Sequence, residues 1–126
     1  MKVFVADDNE LLRARLVNLL SEFPGVEIIG QARDASEALR AIRETRPDVV
    51  TLDIHMCGGS GISVLREIKR EGASPVVLML TNHVSPPYRK CCMEAGADFF
   101  LDKANGLDRV RDIFRTLLGR PDSTAT

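Results

Sequence analysis

The chain has 126 residues and a formal net charge of −1, with 44% hydrophobic and 28% charged residues. A chain of this length buries about two-thirds of its unfolded surface, so the composition predicts one soluble domain that folds without a disulfide or a structural metal. The balanced charge excludes a general attraction to nucleic acid or an anionic membrane, and no apolar stretch is long enough to span a bilayer.

Predicted strands and helices alternate from one end of the chain to the other. Five apolar runs rich in β-branched residues predict strands at about residues 2–6, 26–31, 48–52, 75–80 and 98–101. Apolar residues at helical spacing follow each strand, in segments centred on Leu16, Leu39, Leu65, Cys92 and Phe114. The first, third and fourth strands are almost continuously apolar, which is typical of parallel strands with helices on both faces. The alternation therefore predicts a doubly wound α/β fold, a three-layer sandwich around a parallel sheet.

Polar residues of different kinds stand at the ends of four of these strands. Asp7 and Asp8 follow the first strand, Asp53 the third, Thr81 the fourth and Lys103 the fifth. Because parallel strands end at the same edge of a sheet, these side chains are expected to converge there. The second strand offers no such residue, which favours the strand order 2-1-3-4-5 with this strand beyond the point where the order reverses. Three carboxylates, a hydroxyl and an ammonium suit one divalent cation and one phosphoryl group.

Each of these residues also has a purely structural interpretation. Asp7 and Asp8 could cap the first helix, and Asp53 could serve in a turn. Thr81 could be a surface threonine, and Lys103 could belong to a surface ion pair. Their occurrence at successive strand ends is what favours a shared site.

Taken in order, the motifs at these strand ends resemble the receiver domain of two-component response regulators. The motifs are Val5-Ala6-Asp7-Asp8-Asn9, Leu52-Asp53-Ile54-His55-Met56 with Gly61 following, Leu80-Thr81, Ala95-Gly96-Ala97, and Lys103. The resemblance covers residues 2–118, so we expect a receiver domain at 1–118 and a flexible C-terminal tail or truncated linker at 119–126, where the last helix breaks. It implies a flavodoxin-like (βα)5 fold with sheet order 2-1-3-4-5, so that order is not independent of the resemblance.

The resemblance and the chemistry of the residues assign the same roles to the acidic cluster. Asp53 is the expected phosphoacceptor, since a carboxylate oxygen can attack phosphorus. Asp8 and Asp53 are expected to bind Mg²⁺ directly, and Asp7 directly or through water. The resemblance adds the backbone carbonyl of His55 as a further metal ligand. Lys103 is expected to pair with a phosphoryl oxygen.

The resemblance also implies a conformational switch. Thr81 is expected to move toward the phosphoryl group and hydrogen-bond it, and Phe100, three residues before Lys103, to rotate into the vacated space. This movement would bias the face formed by the fourth helix, the fifth strand and the fifth helix. A role for Phe100 as an ordinary core residue stays open, and one side chain can have both roles.

Five neighbours of the expected site add detail to this prediction. His55 and His83 each lie two residues beyond a site residue; they are either solvated loop residues or, as a hypothesis, gates that control water access to the acyl phosphate. Cys57 and Ala104 stand where the family usually has proline, and Asn82 stands where it prefers a very small residue. None of these departures removes a chemical group, so they bear on rates and on the choice of phosphodonor.

The sequence thus predicts a cytoplasmic signalling switch that catalyses only its own phosphorylation and dephosphorylation. The expected partners are a sensor histidine kinase or a histidine phosphotransfer protein, and an output partner or a second copy at the switching face. No direct contact with nucleic acid or a membrane is expected. The three cysteines (Cys57, Cys91 and Cys92) lack a CxxC spacing and are expected to be reduced thiols.

Two other classes of protein are weighed against this interpretation. A haloacid-dehalogenase-type phosphatase needs a second aspartate two residues after its nucleophile, and this chain has His55 there. A pseudo-receiver would bind a partner without being phosphorylated. The complete set of acids and lysine argues against a pseudo-receiver, whereas Asn82 and Ala104 keep it open.

Overall fold

A parallel sheet of five strands forms the middle layer of the computed structural model, which describes residues 1–56, 59–72, 75–82, 85–104 and 106–125, with side chains described as far as Gly119. The strands are β1 (Lys2–Ala6), β2 (Glu27–Ala32), β3 (Val49–Asp53), β4 (Val76–Thr81) and β5 (Phe99–Asp102). Their order in the sheet is β2-β1-β3-β4-β5, with every neighbouring pair parallel. The predicted flavodoxin-like fold class and strand order are confirmed.

Helices cover both faces of the sheet. They are α1 (Glu10–Ser21), α2 (Ala35–Thr45), α3 (Gly61–Arg70), α4 (Pro86–Glu94) and α5 (Gly106–Ala125). Alternate residues of each strand enter two buried clusters, one shared with α1 and α5 and the other with α2, α3 and α4. Side-chain oxygens of Asn9, Asp34 and Ser60 accept backbone hydrogen bonds at the starts of α1, α2 and α3, which explains where these helices begin.

Several boundaries differ from the sequence prediction. Strands β2 to β5 each begin and end one residue later than predicted. Strands β3, β4 and β5 end later because Asp53, Thr81 and Asp102 continue the ladder beyond the apolar run. A short antiparallel pairing of His55–Met56 with Gly59–Ser60, between β3 and α3, was not predicted. Cys57 lies outside the described residues.

The end of the last helix is a correction to the prediction. Helix α5 continues as far as Ala125, past the break expected after Leu118. Helix propensity alone disfavours this continuation, by about 1 kcal/mol for a glycine such as Gly119 and by about 3 kcal/mol for a proline in a helix interior such as Pro121. The helix nevertheless runs through both residues, after earlier turns that bury Val110 and Phe114. The division into a domain at 1–118 and a tail at 119–126 stays a prediction. In the part of the chain that the structure describes, no helix has both the length and the apolar character needed to cross a membrane.

Thr51 offers a test of the packing at the centre of the sheet. The residue is only 1% exposed and lies between Val5 and Leu78 of the neighbouring strands. Within the described residues its hydroxyl oxygen has no hydrogen-bond partner. A buried hydroxyl without a partner is destabilising, so Thr51→Val is expected to raise the free energy of unfolding by about 1 kcal/mol. Equilibrium urea unfolding measures the change.

Thr45 provides the matched control for this substitution. Its hydroxyl donates a hydrogen bond to the carbonyl oxygen of Ala41 at 2.7 Å. Thr45→Val removes that bond, so it is expected to lower stability or leave it unchanged. Equal losses in the two valine variants would contradict the prediction for Thr51.

Candidate functional site

Three aspartates converge at the carboxyl edge of the sheet. Asp7 directly follows β1 and Asp53 ends β3, and both are buried, with 1% and 5% of their surfaces exposed. Asp8 is exposed at the mouth of the same site. One carboxylate oxygen from each of the three lies within 4.8 Å of the others. Carboxylate oxygens at this spacing can hold a hard divalent cation such as Mg²⁺.

Lys103 reaches into this cluster from the loop after β5. Its Nζ lies 3.0 Å from Oδ2 of Asp7 and 3.0 Å from Oδ2 of Asp53, and its side chain is 9% exposed. The backbone amide of Lys103 donates to the carbonyl oxygen of Thr81 at 2.9 Å, which continues the pairing between β4 and β5. One ammonium therefore lies between two buried carboxylates.

Burial and charge act in opposite directions on these groups. Burial raises the pKa of Asp53, the bond from Lys103 lowers it, and the charges of Asp7 and Asp8 raise it again, with a net shift above the ordinary value. Burial lowers the pKa of Lys103, but its bonds to Asp7 and Asp53 outweigh burial and raise its pKa overall. Lys103 therefore stays protonated, while the acidic cluster remains short of positive charge.

The local backbone fixes the direction of Asp7. Its amide donates to the carbonyl oxygen of Ala32 at 3.0 Å, and its carboxylate accepts from the amide of Asn9 at 2.8 Å. Its own carbonyl oxygen accepts from the guanidinium of Arg13 at 2.7 Å. Arg13 was not among the predicted site residues, because an arginine in the first turn of a helix gives no sequence signal for a contact with the preceding strand.

Gly61 lets α3 start directly against the segment that carries Asp53. Its amide donates to the carbonyl oxygen of Ile54 at 2.7 Å. A Cβ atom at this position would lie 1.9 Å from the carbonyl oxygen of Asp53. No side chain fits there, which explains in steric terms why the sequence motif has a glycine at this position.

The other predicted site residues lie around this cluster. Thr81 is fully buried at the end of β4, one position beyond the residue that pairs with Asp53. His55 is exposed, and its ring meets the ring of Tyr88 edge-on with the centroids 5.6 Å apart. Phe100 is half-buried against the core cluster of α2, α3 and α4, with the guanidinium of Arg89 5.9 Å from its ring centroid.

Of the remaining neighbours of the site that were named from the sequence, Asn82 and Ala104 lie within the described residues. Asn82 and Ala104 are exposed. The amide of Ala104 donates to a carboxylate oxygen of Asp102 at 2.9 Å, so a side-chain turn shapes the loop that carries Lys103 where the family usually has proline. His83 lies outside the described residues.

The fold and the site together define a doubly wound α/β domain with an acidic, lysine-containing site at the carboxyl edge of its sheet. The family model of the response regulator receiver domain matches residues 3–115 of the chain. The chain therefore belongs to the response regulator receiver domain family.

Individual relatives agree with this assignment. The chain is 34% identical over 115 residues to the transcriptional regulatory protein LiaR of Bacillus subtilis and 31% identical over 115 residues to the response regulator GacA of Pseudomonas aeruginosa. Each alignment covers 91% of this chain and 54% of the relative, so the chain spans about half the length of these proteins. The signal receiver domain of the NarL response regulator from Mycobacterium tuberculosis superimposes with a TM-score of 0.84 at 30% identity, over 90% of this chain and 91% of that structure.

Proposed function

We propose that the chain is a phospho-accepting receiver domain in which Asp53 takes a phosphoryl group from a phosphohistidine. The donor is a sensor histidine kinase or a histidine phosphotransfer protein, and the transfer takes place in the cytoplasm. The observation that carries the proposal is the position of the Asp53 carboxylate, which is buried beside two further aspartates and 3.0 Å from the ammonium of Lys103. Membership of the receiver family supports the same function.

The reaction is an in-line displacement at phosphorus. An oxygen of Asp53 forms the new bond, the bond between phosphorus and the imidazole nitrogen of the donor breaks, and the electron pair returns to that nitrogen, which takes up a proton. Asp7, Asp8, Asp53 and the backbone carbonyl of His55 would hold Mg²⁺, which lowers the repulsion between the carboxylate and the phosphoryl oxygens. Lys103 neutralises one phosphoryl oxygen, and Thr81 donates a hydrogen bond to another. Attack by water on the acyl phosphate restores the free carboxylate.

The proposed output is a change on the face formed by α4, β5 and α5. Thr81 ends β4 directly beside β5, and Phe100 lies in β5 next to Arg89 of α4. A movement of Thr81 toward the phosphoryl group would open space that Phe100 can enter. A second copy of the chain or an output partner would read this change. The hypothesis that His55 and His83 limit water access to the acyl phosphate stays a prediction.

A phosphorylation assay tests the proposal directly. The protein is incubated with Mg²⁺ and phosphoramidate or acetyl phosphate, and intact-mass spectrometry measures the adduct. We expect one phosphoryl group on the wild type and none on Asp53→Asn. Asp108→Asn, whose side chain is 90% exposed on α5, removes the same charge and is expected to label like the wild type.

Two results would contradict the proposal. The absence of an adduct on the wild type would favour a pseudo-receiver that works without phosphorylation. An undiminished adduct on Asp53→Asn would place the modification on another residue.

Binding of Mg²⁺ is expected to stabilise the fold, because a ligand that binds only the folded state shifts the unfolding equilibrium. At a concentration about 100 times its dissociation constant, one ion adds about 2.7 kcal/mol. Asp8→Asn removes one carboxylate of the cluster, so it is expected to lose most of this gain, while Asp108→Asn keeps it. The measurement is the thermal midpoint with EDTA and with increasing Mg²⁺. Equal midpoint shifts in wild type and Asp8→Asn would remove Asp8 from the proposed site.

A further inference from the structure

An arginine on α1 contacts the backbone of the acidic site. Arg13 lies in the first turn of that helix, and its Nη1 donates to the carbonyl oxygen of Asp7 at 2.7 Å. Its Nε donates to Oε1 of Gln31 at 3.2 Å. Gln31 belongs to β2, which pairs with β1 in the sheet. One guanidinium therefore connects the ends of two strands with the start of a helix.

The carbonyl that Arg13 binds belongs to the peptide unit between Asp7 and Asp8. Because a peptide unit is planar, fixing the direction of the Asp7 carbonyl also fixes the direction in which the chain continues to the Cα of Asp8. On its other side Asp7 is fixed through its amide, which donates to Ala32 at 3.0 Å. Asp8 is exposed, so the position of its carboxylate depends on the backbone that carries it.

We infer that Arg13 is a positioning residue for the divalent-cation site, because it holds the Asp7–Asp8 backbone so that the Asp8 carboxylate faces those of Asp7 and Asp53. This inference rests on the proposed function, since it assumes that the cluster binds Mg²⁺. A guanidinium suits the task because its N–H groups form a rigid fork that reaches two acceptors at once. A lysine ammonium is a point charge on a flexible stem and cannot reproduce that geometry.

The charge of Arg13 and its hydrogen bonds have opposite effects on Mg²⁺ affinity. A positive charge near the site repels a divalent cation, so its electrostatic effect alone weakens Mg²⁺ binding. Holding the backbone strengthens binding. Loss of Arg13 would therefore tighten Mg²⁺ binding if the charge dominates, and weaken it if the positioning of the backbone dominates.

Titration of the full, metal-free chain with Mg²⁺ by calorimetry measures the effect. Arg13→Met and Arg13→Lys are both expected to weaken Mg²⁺ affinity about tenfold, the size typical for loss of a residue that orients a metal ligand. Arg15→Met is the matched control, because Arg15 is exposed on the same helix, and its affinity should equal that of the wild type. Gln31→Ala removes one of the two anchors and should give a smaller loss. It keeps the inference testable if circular dichroism shows that the Arg13 variants do not fold.

The possible results separate this inference from the proposed function. A wild type that does not bind Mg²⁺ would overturn both. Binding by the wild type, with unchanged affinity in the Arg13 variants, would overturn the inference alone. Tighter binding by Arg13→Met, with unchanged binding by Arg13→Lys, would show that only the charge matters and would also overturn it. Weaker binding by both variants, with Arg15→Met unchanged, supports a positioning role.

Discussion

Replacing Lys103 by methionine is expected to lower the free energy of unfolding of the metal-free chain by about 3–5 kcal/mol at neutral pH, as for other buried ion pairs that lose one partner. The ammonium lies 3.0 Å from both Asp7 and Asp53, and its side chain is 9% exposed. Methionine is a flexible side chain that fills much of the same space, but it leaves two buried carboxylates without their cation. Urea unfolding in EDTA measures the loss. Lys90→Met, on the exposed surface of α4, is the matched control.

The pH dependence of this loss follows from the pKa of Asp53. Burial raises that pKa, Lys103 opposes the rise, and Asp7 and Asp8 add to it. An acid whose pKa is higher in the folded chain binds its proton more tightly there, so stability falls as the pH rises from the ordinary carboxyl range, about 4, through the raised value. Removing Lys103 widens this window, and the deficit of Lys103→Met should grow with pH across it. A deficit that is the same at every pH would indicate lost packing instead of unpaired charge.

Much of the fold was predictable because three of its strands, β1, β3 and β4, are buried on both faces. A continuous apolar run such as that of β3 is incompatible with a sheet that exposes one side, and the alternation with helices then leaves few topologies. The ends of the runs also indicated the site, since Asp53 and Lys103 interrupt apolar sequence at the same edge. The boundaries were less accurate, because backbone pairing continues through Asp53, Thr81 and Asp102 whatever their side chains.

The convergence of the site residues could be predicted from the sequence, but the individual contacts among them could not. Lys103 is 96 positions from Asp7, and its simultaneous contact with Asp7 and Asp53 depends on strand order and on the length of its side chain. Arg13 contacts a carbonyl oxygen, and any residue in place of Asp7 would offer the same acceptor. Sequence patterns report side chains, so the contact of Arg13 with the backbone carbonyl of Asp7 left no signal in the sequence.

Gly61→Ala is expected to be severely destabilising although alanine is the better helix former. Gly61 is the first residue of α3, and even in a helix interior the change from glycine to alanine would raise stability by only about 1 kcal/mol at an unstrained position. The new Cβ would lie 1.9 Å from the carbonyl oxygen of Asp53 and 3.4 Å from the Cα of Ile54, so the backbone of one segment must move. The neighbours are backbone atoms that cannot rotate away, so we expect a loss of about 3 kcal/mol, at the upper end of overpacking substitutions.

The same displacement would reach the proposed phosphoacceptor, because the clashing oxygen belongs to Asp53 itself. A shift of about 1 Å in a reacting group can lower a rate about a hundredfold, so the rate of labelling by phosphoramidate should fall by that order even where Gly61→Ala is folded. Urea unfolding and labelling kinetics at low temperature measure the two effects separately. Gly119→Ala is the matched control: it lies in α5 with no atom within 4 Å of its Cβ position, so stability should rise slightly and labelling should not change. Loss of stability with normal labelling in Gly61→Ala would mean that α3 moves and Asp53 stays in place.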